Sequence, residues 1–266
     1  MEAVHVPHPA LRPYVASWVG FRAALDPRAV HHGLPSPTLT VVLALDEPLD
    51  VGWLDRGERE RYWTCVAGLH TGPALVRTHG WQHGIQLALT PLGARALLGA
   101  PAAALAATMT EHAELPVGLP QCLLENLAAQ RDWRRRHLLL ERHLLSVLAR
   151  RHDDPAHDVR PEVARAWWLI ASSGGRARVA DVAEQVGWGR RRLLEQFRAE
   201  VGVGPKEAGR IVRFDRSRRL LDAGIPLAEV ADRAGYADQA HLSREYARLA
   251  GRSPSRLRES AYHLPG

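Results

Sequence analysis

The chain has 266 residues, 46% of them apolar and 24% charged, which suits one large or two ordinary globular domains and argues against wholesale disorder. Its longest apolar runs, 39–45 and 102–107, fall far short of the roughly 20 residues a membrane helix needs. The opening MEAVHVPHPALRP lacks the basic start and apolar stretch of a secretion signal, so a cytoplasmic protein with no membrane partner is expected. Two cysteines, Cys65 and Cys122, provide neither a disulfide framework nor a metal set. The charge is unevenly placed: residues 1–159 carry a net −1 and residues 160–266 a net +7. A polyanionic partner is therefore expected for the C-terminal part alone.

In chain order, β-type runs come first, at 15–21, 38–45, 74–77 and 84–89, separated by turn signals at 34–37, 55–57 and 71–73. They predict a small β-rich domain over residues 1–115. Short helices are expected at 92–98 and 102–107, and one or two longer ones over 119–151. Leu138, Leu139, Glu141, Arg142, Leu145 and Leu148 suggest an apolar stripe with a charged back. The segment 116–158 is thus a helical connector whose stripe is either an internal packing face or the seam of a homodimer. The polar stretch 152–158 with its Pro155 marks a domain boundary, and residues 159–266 read as almost wholly helical. Pro161 sits where a first helical turn accepts proline, and Val163, Trp167, Trp168 and Ile170 predict the buried face of a helix that ends before Gly174.

An internal repeat follows. Residues 179–188 (VADVAEQVGW) match 227–236 (LAEVADRAGY) at an offset of 48. After one inserted residue the match resumes at an offset of 49, pairing Leu193 with Leu242, Phe197 with Tyr246, Gly202 with Gly251 and Pro205 with Pro254. Val182 and Val230 anchor a short first helix, and Ala183 and Ala231 are small where a second helix crosses. Gly187 and Gly235 fall where a tight turn needs a left-handed residue. The second helix buries Leu193 and Phe197, or Leu242 and Tyr246, at i and i+4. Two helices with such a turn make a helix-turn-helix; one copy alone would equally suit a packing hairpin, and two in register favour DNA. Residues 205–223 predict a connecting helix, with Ile211, Val212, Phe214, Leu220 and Leu221 on one side and Arg210, Arg213, Arg216, Arg218 and Arg219 on the other.

On these motifs residues 160–260 resemble the DNA-binding domain of the AraC/XylS family of bacterial regulators. The second unit carries the likeness most specifically, in IPLAEVA at 225–231, GYADQAHLSR at 235–244 and GRSPSRLR at 251–258. The first departs at Gly189, where the family usually places a capping Ser; glycine is a tolerable cap. The resemblance implies an α+β chain: a small N-terminal β-rich, cupin-like domain with a helical extension, then an all-α double helix-turn-helix domain. It implies a transcription factor, not an enzyme, with double-stranded promoter DNA as partner and RNA polymerase and a small-molecule effector as further candidates. With Leu193 and Phe197 inward, Arg190, Arg191, Leu194 and Glu195 face outward. Arg suits guanine, Leu a thymine methyl, and Glu a cytosine amine or a neighbouring Arg. Gln239, Ala240, His241, Ser243 and Arg244 hold the matching surface of the second unit, while Arg256 and Arg258 suit phosphates.

For the front half the sequence names no ligand. Trp53, Tyr62, Trp63, His70 and Trp81 are read as core in preference to pocket. His31, His32, His70, His79 and His83 show no metal-ligand spacing. An enzymatic alternative would need a reactive thiol, and neither Cys65 nor Cys122 has an acid–base motif beside it.

Overall fold

The computed structural model describes residues 2–28, 30–77, 79–151 and 159–259. Among them ten strands come first: β1 (Glu2–Val4), β2 (Val15–Ala24), β3 (Val30–Gly33), β4 (Leu39–Ala44), β5 (Leu49–Trp53), β6 (Glu60–Tyr62), β7 (Thr64–Ala67), β8 (Ala74–Arg77), β9 (Trp81–Leu89) and β10 (Met109–Glu111). They pair in two sheets, β1-β2-β9-β4-β7-β10 and β3-β8-β5-β6.

The two-residue period of a strand decides what each sheet face meets. On β9, Ile85, Leu87 and Leu89 enter the large cluster shared with the helices, while Gln86 and Ala88 face a cavity between the sheets. On β4, Val41 and Leu43 take the helical side, and Val42 packs with Phe21, Leu49, Val51 and Val76 between the sheets. A strand covered on both faces needs no polar alternation, which accounts for the run at 39–45, apolar except at Thr40. The expected strands at 15–21, 38–45, 74–77 and 84–89 are present, with the last extended back to Trp81.

The helices begin with α1 (Pro91–Gly93), capped by the Thr90 hydroxyl, which accepts from the Gly93 amide at 3.2 Å. A π-helical turn, Ala94–Leu98, continues it. The helix expected at 102–107 is only a 3-10 turn, Ala102–Leu105, because the chain then leaves helical geometry and Ala107 adopts φ 54°. Next come α2 (Gln121–Ala129) and α3 (Trp133–Arg151). The stripe expected on α3 is present in part, with Leu139, Leu145 and Leu148 packed half-buried against the large cluster and its centre one residue over. Leu140, Leu144 and Val147 are buried, Leu140 and Leu144 in the cluster that contains Leu87 and Leu97, whereas Leu138 is 41% exposed. The internal packing face is thus i, i+4, i+7 from Leu140.

The expected boundary at 152–158 lies outside the described residues. Beyond it run α4 (Pro161–Ser172), α5 (Val179–Gln185), α6 (Arg190–Val201), α7 (Pro205–Asp222), α8 (Leu227–Ala234), α9 (Gln239–Ala250) and α10 (Pro254–Glu259). On α4, Val163, Trp167 and Ile170 are buried as expected. Trp168 is not: it lies 55% exposed with the Arg165 guanidinium 4.5 Å above its ring. A helical step of 100° carries the neighbour of a buried residue off the apolar face.

Candidate nucleic-acid interface

The two repeats fold alike. In the first, Val182 and Ala183 of α5 are buried, Gly187 adopts φ 69°, and the Trp188 amide donates to the Ala183 carbonyl at 2.9 Å. In the second, Val230 and Ala231 of α8 are buried, Gly235 adopts φ 81°, and the Tyr236 amide donates to the Ala231 carbonyl at 2.8 Å. The positive φ is open to glycine at little cost, and the long-reach hydrogen bond closes the turn. Each second helix then buries its i, i+4 pair: Leu193 and Phe197 on α6, Leu242 and Tyr246 on α9, all fully covered. Phe197 stacks on Trp167, with centroids 6.3 Å apart, and Tyr246 tilts against Phe214 at 4.8 Å. The Tyr246 hydroxyl lies 3.1 Å from Ser217 Oγ. Burial pushes the Tyr236 phenol up to about 12, so it stays neutral.

The helices start differently. Asp238 caps α9, its carboxylate accepting from the His241 amide at 2.6 Å. Gly189 precedes α6 with no side-chain cap, as the departure in the sequence anticipates.

Between the units, α7 is no mere spacer. Arg210 holds Glu245 of α9 by two parallel bonds, Nε to Oε2 at 3.0 Å and Nη2 to Oε1 at 2.8 Å. Arg213 donates to the Gly175 carbonyl at 3.0 Å, and Arg218 pairs with Asp215 at 3.2 Å and Asp222 at 3.3 Å. The face expected to be a row of outward arginines is therefore largely engaged, and even Arg219, the exposed member of the five, pairs with Asp215. Where α7 crosses the end of α4, a Cβ on Gly175 would come within 2.1 Å of the Gly209 carbonyl oxygen, and Gly175 sits at φ 77°. The close crossing fixes α7 against the first unit as the Arg210–Glu245 fork fixes it against the second.

Of the eight side chains selected from the sequence, Arg190, Arg191, Leu194 and Glu195 lie together, exposed, at the start of α6. Arg191 Nε and Glu195 Oε1 are 2.9 Å apart, so Glu195 takes the neighbouring-Arg alternative in the free protein. On α9, Gln239, Ala240 and Arg244 are exposed. His241 and Ser243 are half-buried and partly committed. The His241 ring is edge-on to Tyr236 at 5.2 Å and its Nδ1 accepts from the Ala237 amide at 3.4 Å; Ser243 Oγ donates to the Gln239 carbonyl at 2.9 Å. Arg192, which the spacing argument passes over, is exposed beside Arg191 with its guanidinium 4.9 Å above the Trp188 ring. A cation next to a turn aromatic is the signal that would have found it. Arg256 is exposed, and the side chain of Arg258 lies outside the described residues.

The far ends of these helices meet the β-domain. Arg95, in the turn after α1, grips Glu200 near the end of α6 with bonds of 2.8 and 2.7 Å, and the carboxylate raises the already high pKa of the guanidinium. Beyond α9, Arg252 donates to His32 Nε2 at 2.7 Å. Both second helices thus have partners at their C-terminal ends and bare first turns.

Trp53, Tyr62, Trp63, His70 and Trp81, expected in the core, divide. Tyr62 is buried, Trp63 is 51% exposed, Trp53 leans on His70 at 4.8 Å, and of the five only His70 lines the larger cavity between the sheets. His79 and His83 turn to separate carboxylates, Asp50 at 3.2 Å and Asp46 at 2.8 Å.

Residues 162–260 match the model of a helix-turn-helix domain family. The Msm operon regulatory protein of Streptococcus mutans is 31% identical over 87 residues, which are 32% of this chain and 31% of that protein. A protein of Streptomyces antibioticus named as an AraC-like transcription regulator is 30% identical over 115 residues, 43% of this chain and 32% of that one. The chain thus spans between a fifth and a third of the length of the curated relatives it matches. Over 94% of its own length it is similar in fold to ToxT of Vibrio cholerae, covering 99% of that chain with a TM-score of 0.57 at 11% identity. A second structure of ToxT, bound to an unsaturated fatty acid, matches at a TM-score of 0.56.

Proposed function

We propose that this chain is a regulator of the AraC type, as the helix-turn-helix match over 162–260 and the AraC-like relative support, and that it is a sequence-specific DNA-binding transcription factor responsive to a small molecule through its β-domain. The observation that carries the reading is the pair of like turns that leave the N-terminal ends of α6 and α9 exposed, with Arg190, Arg191 and Arg192 in the first turn of α6 and Arg244 in the second turn of α9, joined by a helix locked to both. The chain would be divided as 1–115 for sensing, 116–158 as helical connector and 159–266 for DNA. A helix-turn-helix reads base edges from the first turns of its second helix, which assigns base contacts to Arg190, Arg191, Leu194 and Glu195, and to Gln239, His241, Ser243 and Arg244. Of these, Arg191 and Arg244 have the reach and donors for guanine.

A regulatory and not an enzymatic role is supported by the setting of the thiols: burial pushes Cys65 up to about 12, far from a nucleophile. The fatty acid found on ToxT supports looking for an effector here. Contact with RNA polymerase and homodimer formation are further partner hypotheses, checked by footprinting with polymerase and by light scattering.

The test is a gel shift of the full chain with promoter fragments across a salt series. Binding is expected at low salt with a log–log slope of about −0.9 per phosphate neutralised. No retarded complex at low salt would overturn the proposal.

A further inference from the structure

The two helix-turn-helix units are attached to the β-domain in unlike ways. The first shares its core with it: Val182, Leu193, Phe197 and Val201 belong to the same cluster as Leu97, Ala102 and Leu105. The second has a separate core of Phe214, Leu221, Val230, Leu242, Tyr246 and Leu249, against which Leu34 packs from the β-domain. It is tied there also by the Arg252–His32 bond of 2.7 Å, and Gly251 faces Leu54 and Pro73. Leu34 and His32 lie on one short piece of chain, the end of β3 and the residue after it, and that piece is a wall of the larger cavity between the sheets.

That cavity has a volume of about 110 Å³, comparable with the roughly 150 Å³ cavity that admits benzene in an engineered protein. Val42, Val51, Ala67, Val76 and Ala88 give it an apolar body. Gln86, His31 and His70 supply polar atoms, and no Asp or Glu is among its lining residues. Burial lowers His70 to about 4, so it is neutral near pH 7. The one permanently charged lining residue is Arg218, which reaches the cavity from α7. Such a lining disfavours cations, accepts an apolar body, and offers a guanidinium to an anion.

We propose that this cavity binds a compact monocarboxylate with an apolar body about the size of one six-membered ring, its carboxylate meeting Arg218, and that occupancy is felt by the second helix-turn-helix unit. The inference rests on the regulator reading above. Arg218 is tied to Asp215 and to Asp222, the last residue of α7 before the turn into α8. A ligand carboxylate competes with Asp222 for the guanidinium and so loosens the α7–α8 junction. The same ligand presses on the wall that carries Leu34 and His32. The first unit shares its core with the β-domain and is held there also by the Arg95–Glu200 fork, away from the cavity wall.

The probes are cyclohexanecarboxylate and hexanoate, with cyclohexanecarboxamide as the neutral isostere, titrated into the full chain by calorimetry and then added to a footprinting reaction. At least one carboxylate is expected to bind, with the amide at least about 10-fold weaker. Arg218→Gln should weaken the carboxylate by about 10- to 100-fold, the worth of a charge-assisted bond. Protection should change over the part of the site read by α9 and persist over the part read by α6. If Arg218→Gln does not fold, Ala88→Leu, which fills the cavity, must abolish binding. The proposal falls if neither carboxylate binds at millimolar concentration, if the amide binds as well, if the variant that folds retains wild-type affinity, or if both parts of the footprint change together. Failure of the ligand-free chain to bind DNA would instead sink the regulator reading, and the calorimetry would still decide the ligand.

Discussion

Replacing Arg210 by Met isolates the fork that holds α9 to α7. Both partners are mostly covered, with side chains 14% and 13% exposed. The substitution therefore removes two charge-assisted hydrogen bonds and leaves the Glu245 carboxylate covered and unpaired by Arg210. Each such bond is worth about 1.5–3 kcal/mol, and stranding one member of a covered pair costs on the order of 3–5 kcal/mol. The core of the second unit is small and separate from the main cluster, so the loss falls on α8 and α9 and not on the whole chain. Amide exchange in 227–250 should accelerate by at least about 100-fold, the counterpart of roughly 2.7 kcal/mol, while exchange in 179–201 stays unchanged. A footprint should lose its α9 portion and keep its α6 portion. The double variant Arg210→Met/Glu245→Leu removes the stranded charge and should recover much of the protection. Unchanged exchange in 227–250, or equal loss in both parts of the footprint, would refute the view that the fork sets the second unit in place.

Arg191→Ala and Arg244→Ala should each cost about 1–3 kcal/mol on the specific site and much less on random duplex; equal losses on both, measured by competition gel shift, would make them phosphate contacts. Gly175→Ala should lower the melting temperature of the chain, since it combines a left-handed φ, worth about 1–2 kcal/mol, with a Cβ 2.1 Å from the Gly209 oxygen; calorimetry reads it. His112 is buried, its Nδ1 accepts from the Leu119 amide at 3.2 Å, and burial depresses its pKa to about 4. The unfolded histidine takes its proton near 6.5, so the stability from its neutral form is whole above that pH and lost as pH falls toward 4. The urea midpoint should fall as pH drops across that window in the wild type and fall less in His112→Asn.

The helix-turn-helix domain was legible because its signals are local. Turn glycines, small crossing residues and i, i+4 apolar pairs lie within about twenty residues of one another, and their repetition removed the ambiguity. The exposed first turns of α6 and α9 followed from the same periodicity. The β-domain was less legible. Strands β3 (VHHG), β5 (LDVGW) and β6 (ERY) carry histidine, aspartate, arginine and glycine, so neither propensity nor alternation marks them, and β3 and β5 both pair with β8, well along the chain. The centre of the α3 stripe was misplaced because leucines fill successive positions 138–140 and 144–145; only the sheet beneath decides which of them turn inward. The engagement of Arg210 and Arg213 was invisible for the same reason, since their partners are Glu245 of α9 and the Gly175 carbonyl, whereas the pairing of Arg218 with Asp215 and Asp222 follows the i, i+3 and i, i+4 spacing of α7 itself.

If α6 reads DNA as proposed above, the Arg191–Glu195 pair, lying on its open face at 92% and 56% exposure, would bring the protein's own counterion to the duplex. An arginine already neutralised in part attracts an anonymous stretch of phosphates less, because the carboxylate beside it repels them. It is released in full only where a base edge offers Glu195 a donor of its own, as a cytosine amine does. Loss of that carboxylate would then make the protein stickier and less discerning at once, a trade between searching quickly and stopping in the right place.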